Sequence, residues 1–325
     1  MKNLSLYNHD LLPTVGLGLW KTPKSDAAKT VHDAIKIGYR HLDSACDYGN
    51  EVEVGNGIKL ALSKGLCKRD ELWVTSKLWN TYHKKEHVRP ALERTLKDLQ
   101  IDRIDLYLIH FPIAQEFVPF DVRYPPEWLY EPSGENPKIK FANVSIQETW
   151  GAMEQLVRDG LVRNIGICNF GTSMLRDLLT YAEIHPSVLQ VERHPYLAQP
   201  QLLKFCQSND ITLTGFSPLG AGSYLELGMA KPEDSVLDET LVSEIAGSHG
   251  KTPAQIVLRW GIQQGTSVIP KSTRQERLRE NLEVFDFVLS DIEMASMNKL
   301  DRNHRFNDPG VFAEKAFNTF CPIYE

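Results

Sequence analysis

Short β-like runs alternate with amphipathic helical stretches along most of this 325-residue chain, and this alternation limits the fold more than any single motif does. Strand-like runs fall at 15–19, 39–43, 72–77, 104–110, 164–167, 188–191, 212–216 and 267–269. Helical spacing fills 26–37, 51–64, 88–99, 145–158, 172–183, 200–208, 240–248, 253–263 and 290–299. Successive strands joined by helical crossovers imply a parallel sheet. About eight such βα units, with no Pro/Gly-rich linker between them, predict the α/β class and a (β/α)8 TIM barrel, with residues 1–325 as a single domain.

Three segments break the rhythm. Residues 111–144 form a long loop rich in Pro and aromatics (Phe117, Tyr124, Trp128, Tyr130), 217–238 form a second, and 301–325 read as an irregular tail. Loops of this length in a compact fold usually carry function. In a barrel they would gather at the C-terminal edge of the strands, where chemistry is done, so they are expected to wall a pocket.

Composition narrows the function. The 42% hydrophobic content allows a full core. A net charge of −6 argues against nucleic-acid or anionic-membrane partners and leaves room for a local phosphate site. The five cysteines (Cys46, Cys67, Cys168, Cys206, Cys321) are scattered and lack a CxxC, which suggests reduced thiols in the cytoplasm. Residues 1–5 begin no long apolar run and no later segment approaches a membrane span, so a soluble cytoplasmic protein is expected.

The chemistry gathers at strand ends. Asp43, Lys77 and His110 each close a strand-like run, and Tyr48 follows Asp43 in Asp47-Tyr48-Gly49-Asn50-Glu51. Singly, these residues suit a turn cap, a half-buried aromatic, an ion-pair partner and a satisfied histidine. Together, at matched ends, they converge on one axial pocket. A tyrosine phenol is a weak acid at neutral pH. A neighbouring ammonium should make it more acidic, a carboxylate should hold that ammonium, and a neutral histidine could position a carbonyl. Such a set suits protonation of an oxygen while hydride reaches the attached carbon.

With these residues go Gly38-Tyr39-Arg40-His41-Leu42-Asp43, Thr75-Ser76-Lys77-Leu78-Trp79-Asn80 and Asp105-Leu106-Tyr107-Leu108-Ile109-His110-Phe111-Pro112. Gly166-Ile167-Cys168-Asn169-Phe170, Gln190-Val191-Glu192 and Ile269-Pro270-Lys271-Ser272 follow, with Arg277 and Asn281 beyond. Over almost its whole length the chain resembles the aldo-keto reductases, most of all the xylose, aldose and sugar-phosphate reductases. The resemblance implies the same barrel and a catalytic tetrad of Asp43, Tyr48, Lys77 and His110, with Tyr48 as the acid.

A nicotinamide would not bind here by the G-x-G-x-x-G route, because Gly16-Leu17-Gly18-Leu19-Trp20 lacks the third glycine and its context. Lys271, Ser272 and Arg277 around the start of a late helix are suitable ground for a phosphate. By resemblance, Lys271, Ser272, Thr273, Arg277, Glu280 and Asn281 hold the adenosine phosphate end. Asn169 and Gln190 bond the carboxamide, Phe216 stacks on the nicotinamide, Ser217 and Leu219 contact the pyrophosphate, and Trp20 borders the site. Two departures stand out. Cys168 replaces the serine of many relatives and weakens one carboxamide contact. Glu226 and its loop resemble xylose reductases that accept both cofactors, whereas Thr273 stands where those relatives carry asparagine. The expected cofactor is NADPH, with NADH open.

On the substrate side, Trp20, Asp47, Trp79, Phe111, Trp128 and Asn307 match pocket positions of polyol-forming reductases, and Arg305-Phe306-Asn307-Asp308-Pro309 resembles their C-terminal motif. Apolar walls with polar groups at Asp47 and Asn307 suit a sugar chain. Arg193 is unusual and could meet a phosphate. The reading is an NADPH-dependent reductase of an aldehyde or aldose, acting on a small carbonyl substrate as monomer or homodimer. The alternatives are a sugar-6-phosphate (aldose or mannose-6-phosphate) reductase and a catalytically silent NADPH-binding regulatory protein. His83-Lys84-Lys85-Glu86-His87 fits a metal-hydrolase H-x-x-E-H pattern but lacks a nearby third ligand, so no metal is expected.

Overall fold

A computed structural model describes residues 2–324. Two short strands, β1 (Asn3–Ser5) and β2 (Leu11–Pro13), pair antiparallel. Eight parallel strands follow: β3 (Leu17–Gly18), β4 (His41–Asp43), β5 (Trp73–Leu78), β6 (Ile104–Ile109), β7 (Val162–Cys168), β8 (Val188–Glu192), β9 (Thr212–Phe216) and β10 (Ser267–Val268). Between and after them run α1 (Lys24–Ile37), α2 (Glu51–Ser63), α3 (Lys85–Leu99), α4 (Ile146–Arg158), α5 (Thr172–Tyr181) and α6 (Pro200–Gln207). The series ends with α7 (Thr240–His249), α8 (Pro253–Gln263), α9 (Gln275–Leu282), α10 (Asp291–Asn298) and α11 (Pro309–Phe317).

The strands lie in chain order from β3 to β10, and the sheet closes on itself where Val15 bridges Val268. Gly16 N donates to Val268 O at 2.9 Å, and Gly18 N to Pro270 O at 3.1 Å. This seam explains the two glycines. A Cβ on Gly16 would stand 2.6 Å from the His41 ring, and one on Gly18 would stand 2.7 Å from Ile269 O. They permit barrel closure.

Helix starts follow local chemistry. Ser145 caps α4 by accepting from Glu148 N, and reciprocal Thr252–Gln255 and Ser290–Glu293 bonds open α8 and α10. The β1–β2 hairpin, which sequence patterning does not mark, brings Leu6 and Leu12 against Trp73, Leu106, Leu108 and Val188. Trp73 and Val188 begin their strands, so this cluster plugs the N-terminal end of the barrel. The opposite end stays open.

One expectation needs correction. The 301–325 tail is not wholly irregular: α11 forms within it, with Pro309 in its first turn and Asp308 capping Gly310 N. The 217–238 loop is a chain of short 3-10 turns. The 111–144 loop has neither helix nor ladder, apart from a bridge between Gln115 and Phe141.

Candidate active site

Parallel register brings the ionisable groups together. Asp43 ends β4, Lys77 is one residue from the end of β5, His110 follows β6, and Tyr48 closes a 3-10 turn over Cys46–Tyr48. The Lys77 ammonium is fully buried and makes three hydrogen bonds, to Asp43 Oδ1 (2.6 Å), Ser44 O (2.8 Å) and Tyr48 Oη (3.1 Å). Asp43 Oδ2 accepts from Gln190 Nε2 at 2.7 Å. Both charges are thus paired and bonded, the condition under which a buried ion pair is tolerated. His110 Nδ1 lies 3.0 Å from Asp47 Oδ1, at an angle that makes no hydrogen bond. The His110 ring is held instead by Trp79 (5.3 Å), Phe111 (5.0 Å) and the edge of Tyr48 (5.9 Å).

The expected acidification of Tyr48 is reversed. Burial, then the negative fields of Asp43 and Asp47, push its phenol well above the ordinary tyrosine value. The charge of Lys77 is met by Asp43 at closer range than it reaches the phenol. Tyr48 therefore stays protonated at neutral pH and can donate a proton.

These groups open into a cavity of about 990 Å³ at the C-terminal end of the barrel. Trp20, Asp47, Trp79, Phe111, Trp128 and Asn307 all line it, together with Tyr48 and His110. The indole of Trp79 meets that of Trp128 at 5.0 Å, and Trp128 packs against Phe312 (5.5 Å) and Phe317 (5.8 Å) of α11. The tail thus walls the pocket as expected, through Phe312 and Phe317, which the sequence reading did not single out.

Cys168, Asn169, Gln190, Phe216, Ser217 and Leu219 line another part of the same cavity, which reaches Lys271 and Arg277. Asn169 takes a positive φ (65°), a conformation asparagine tolerates, and donates from Nδ2 to His110 O at 2.9 Å. Cys168 Sγ lies 3.3 Å from Asn169 Nδ2 and 3.9 Å from Gln190 Oε1, so its contacts are weak ones. Phe216 ends β9 half-exposed, and Ser217 Oγ shares a hydrogen bond with the buried Tyr224 Oη at 2.7 Å. The remaining predicted contacts lie outside the cavity lining. Thr273 is exposed near the start of α9, Ser272 is buried and accepts from Arg274 N (3.1 Å), Asn281 is buried beside Tyr39, and the Glu280 carbonyl accepts from Gln255 Nε2 (3.1 Å). Glu226 ion-pairs with Lys21, which also donates to Ser223 O at 2.9 Å, tying the 217–238 loop across to the end of β3.

Sequence reasoning missed Lys21 and gave Glu192 no role. Glu192 is fully buried and accepts from Phe306 N (2.9 Å), Asn307 N (2.7 Å) and His194 Nε2 (2.8 Å). It anchors the tail that carries Asn307. Arg193 is neither a surface group nor part of the cavity wall. It is 2% exposed, lies over the Trp260 ring, and donates to Ala198 O (3.0 Å) and Gln264 Oε1 (2.5 Å). In the H-x-x-E-H stretch, His83 is buried, Glu86 is exposed and His87 stacks on Phe117 at 3.7 Å, so the three do not converge. Among the described residues, no three His, Cys, Asp or Glu side chains are grouped to hold a metal ion.

The profile of the Aldo/keto reductase family matches residues 14–302. A probable NAD(P)H-dependent D-xylose reductase of Aspergillus flavus is 46% identical over 318 residues, covering 97% of each chain. An NADPH-dependent D-xylose reductase of Meyerozyma guilliermondii is 47% identical over 300 residues, covering 92% of this chain and 94% of that one. The solved structure of an aldose reductase from Schistosoma japonicum superposes with a TM-score of 0.84 at 38% identity, covering 94% of each chain. A closed eight-stranded barrel with the buried Asp43–Lys77–Tyr48 cluster at its open end, and likeness of this extent, lead to one conclusion: the chain belongs to the aldo/keto reductase family.

Proposed function

We propose that this enzyme reduces the aldehyde of an open-chain aldose to the alcohol with NADPH, and that D-xylose, named for its fungal relatives, is within its range. The observation that carries the reading is the buried Lys77 ammonium joined to both Asp43 and Tyr48, with the phenol on the cavity wall. The donor set suits such a cofactor. The amides of Asn169 and Gln190 and the Phe216 ring line the cavity beside Asp43, and the cations of Lys271 and Arg277 stand at its far end.

When bound, the cofactor would supply hydride to the carbonyl carbon. Tyr48 Oη gives its proton to the carbonyl oxygen, and Lys77 Nζ stabilises the phenolate that remains. Asp43 keeps Lys77 charged and aimed, and His110, fixed by its aromatic neighbours, orients the carbonyl. The indoles of Trp79 and Trp128 exclude water, while Asp47 and Asn307 offer hydrogen bonds to sugar hydroxyls. Ser272, Thr273, Glu280 and Asn281, around α9, would support the adenosine phosphate end, and the Lys21–Glu226 pair, which ties the 217–238 loop to the segment after β3, would help to retain the bound cofactor.

We assign the enzyme to the cytoplasm on its five buried, unpaired thiols. Among the described residues no helix is long and apolar enough to cross a membrane. The test is decay of nicotinamide absorbance with NADPH and NADH in parallel, against D-xylose, a sugar phosphate and an aromatic aldehyde. Faster decay with D-xylose and NADPH supports the reading. Faster decay with the sugar phosphate shifts the substrate class, and no decay in any well overturns the enzyme assignment.

A further inference from the structure

The C-terminal tail returns to the cofactor end of the cavity. Tyr324 Oη lies 3.0 Å from Asn169 Oδ1, a contact across 155 positions. The direction of this bond is fixed by its surroundings. Asn169 Nδ2 faces His110 O at 2.9 Å and Cys168 Sγ at 3.3 Å. A carbonyl oxygen only accepts, so the amide nitrogen must face it, which turns Oδ1 towards Tyr324 and makes the phenol the donor. Both N–H bonds of Asn169 are then spent inside the protein. What remains for a ligand is the second lone pair of Oδ1.

The phenol is itself held from behind. The Arg305 guanidinium lies 3.6 Å over the Tyr324 ring and donates to Gln199 Oε1 at 3.3 Å. Gln199 Nε2 donates to Glu192 O at 2.6 Å, and the Glu192 carboxylate holds the backbone of Phe306 and Asn307. Burial pushes the Tyr324 phenol up, which keeps it a donor through neutral pH. One connected set of bonds therefore joins the tail that carries Asn307 to the amide at the end of β7.

We propose that Tyr324 is a positioning residue for the nicotinamide end of the cofactor: its hydroxyl locks the Asn169 amide so that Oδ1 presents an acceptor to the N–H of the carboxamide. This rests on the reading that Asn169 holds that carboxamide. Without the hydroxyl the amide is held through Nδ2 alone, and Oδ1 loses the contact that fixes its position. The bound cofactor then loses alignment at its reactive end and keeps its contacts at the other.

The test is calorimetric titration of wild type, Tyr324→Phe and Asn169→Ala with NADPH and with the adenosine bisphosphate fragment that lacks nicotinamide. Tyr324→Phe keeps the ring under Arg305 and removes only the hydroxyl. It is expected to weaken NADPH binding roughly three- to tenfold, the range of one hydrogen bond, and to leave the fragment unchanged. Equal weakening for both ligands would make the tyrosine a general structural support and overturn the proposal. Unchanged NADPH binding in Tyr324→Phe, beside weakened binding in Asn169→Ala, would overturn the proposal while the site reading stands. Unchanged binding in Asn169→Ala would overturn both.

Discussion

Asp43→Asn keeps the shape of the side chain and removes the charge that faces Lys77. The ammonium is 0% exposed and, among the described residues, is bonded to Asp43 Oδ1, Ser44 O and Tyr48 Oη, so loss of the carboxylate leaves a buried charge without its counter-ion. Stripping one partner from a buried ion pair costs about 3–5 kcal/mol. The amide adds a second conflict. With its oxygen towards Lys77, its nitrogen faces Gln190 Nε2, which now stands 2.7 Å from Asp43 Oδ2, and two donors would oppose each other. At ~2.1 cal/mol/K per residue, a chain of 325 residues unfolds with an entropy of about 0.7 kcal/mol/K, so the Tm should fall by roughly 4–7 °C. Thermal unfolding followed by circular dichroism reads this directly. The double variant Asp43→Asn/Lys77→Met removes the orphaned ammonium and should recover part of the loss. A Tm within about 1 °C of wild type for Asp43→Asn, or a double variant less stable than the single, would refute the reasoning.

Glu51 lies buried between α2, β5 and α3, accepting from Ser76 Oγ (2.6 Å) and Thr95 Oγ1 (3.0 Å), and burial pushes its carboxyl up to about 8. A raised value favours the fold below the unfolded carboxyl range, and that contribution is lost as pH rises towards 8. Glu51→Gln has no such titration, so its Tm relative to wild type should climb between about pH 5 and pH 8 in paired melts. A constant difference would mean that Glu51 is ionised in the fold throughout. Lys21→Met removes the ion pair with Glu226 and the bond to Ser223 O. In stopped-flow fluorescence it should speed NADPH release severalfold, and the wild-type release rate should rise with salt because Glu226 is largely exposed. Equal release rates would detach this contact from cofactor retention.

The barrel was legible because its strands are short apolar runs between helices of clear period, and because Asp43, Lys77 and His110 lie at or beside the C-terminal ends of adjacent parallel strands. The other cavity-lining residues came from the family resemblance and not from strand placement. Other features left no sequence signal. Strands β1 and β2 have three residues each, too few for alternation to show, and α11 is nine residues of mixed aromatic and small side chains. Glu192 works through backbone N–H groups 114 and 115 positions away, which any residues there would supply. Arg193 finds its partners at Gln264 and Thr266, 71 and 73 positions on, so its burial could not be read locally. The acidity of Tyr48 was misjudged because burial and two carboxylates outweigh one ammonium already paired with Asp43.

The most direct test compares Tyr48→Phe with wild type in NADPH-dependent reduction of D-xylose, with NADPH affinity measured on both proteins. Of the three groups bonded to Lys77 Nζ among the described residues, Tyr48 alone carries a proton it can give to a carbonyl oxygen. Turnover should fall by about 10²–10⁴-fold, the range for loss of a general acid, while the NADPH dissociation constant stays at the wild-type value. Turnover near wild type in Tyr48→Phe would contradict the account and move the proton donor elsewhere in the cavity.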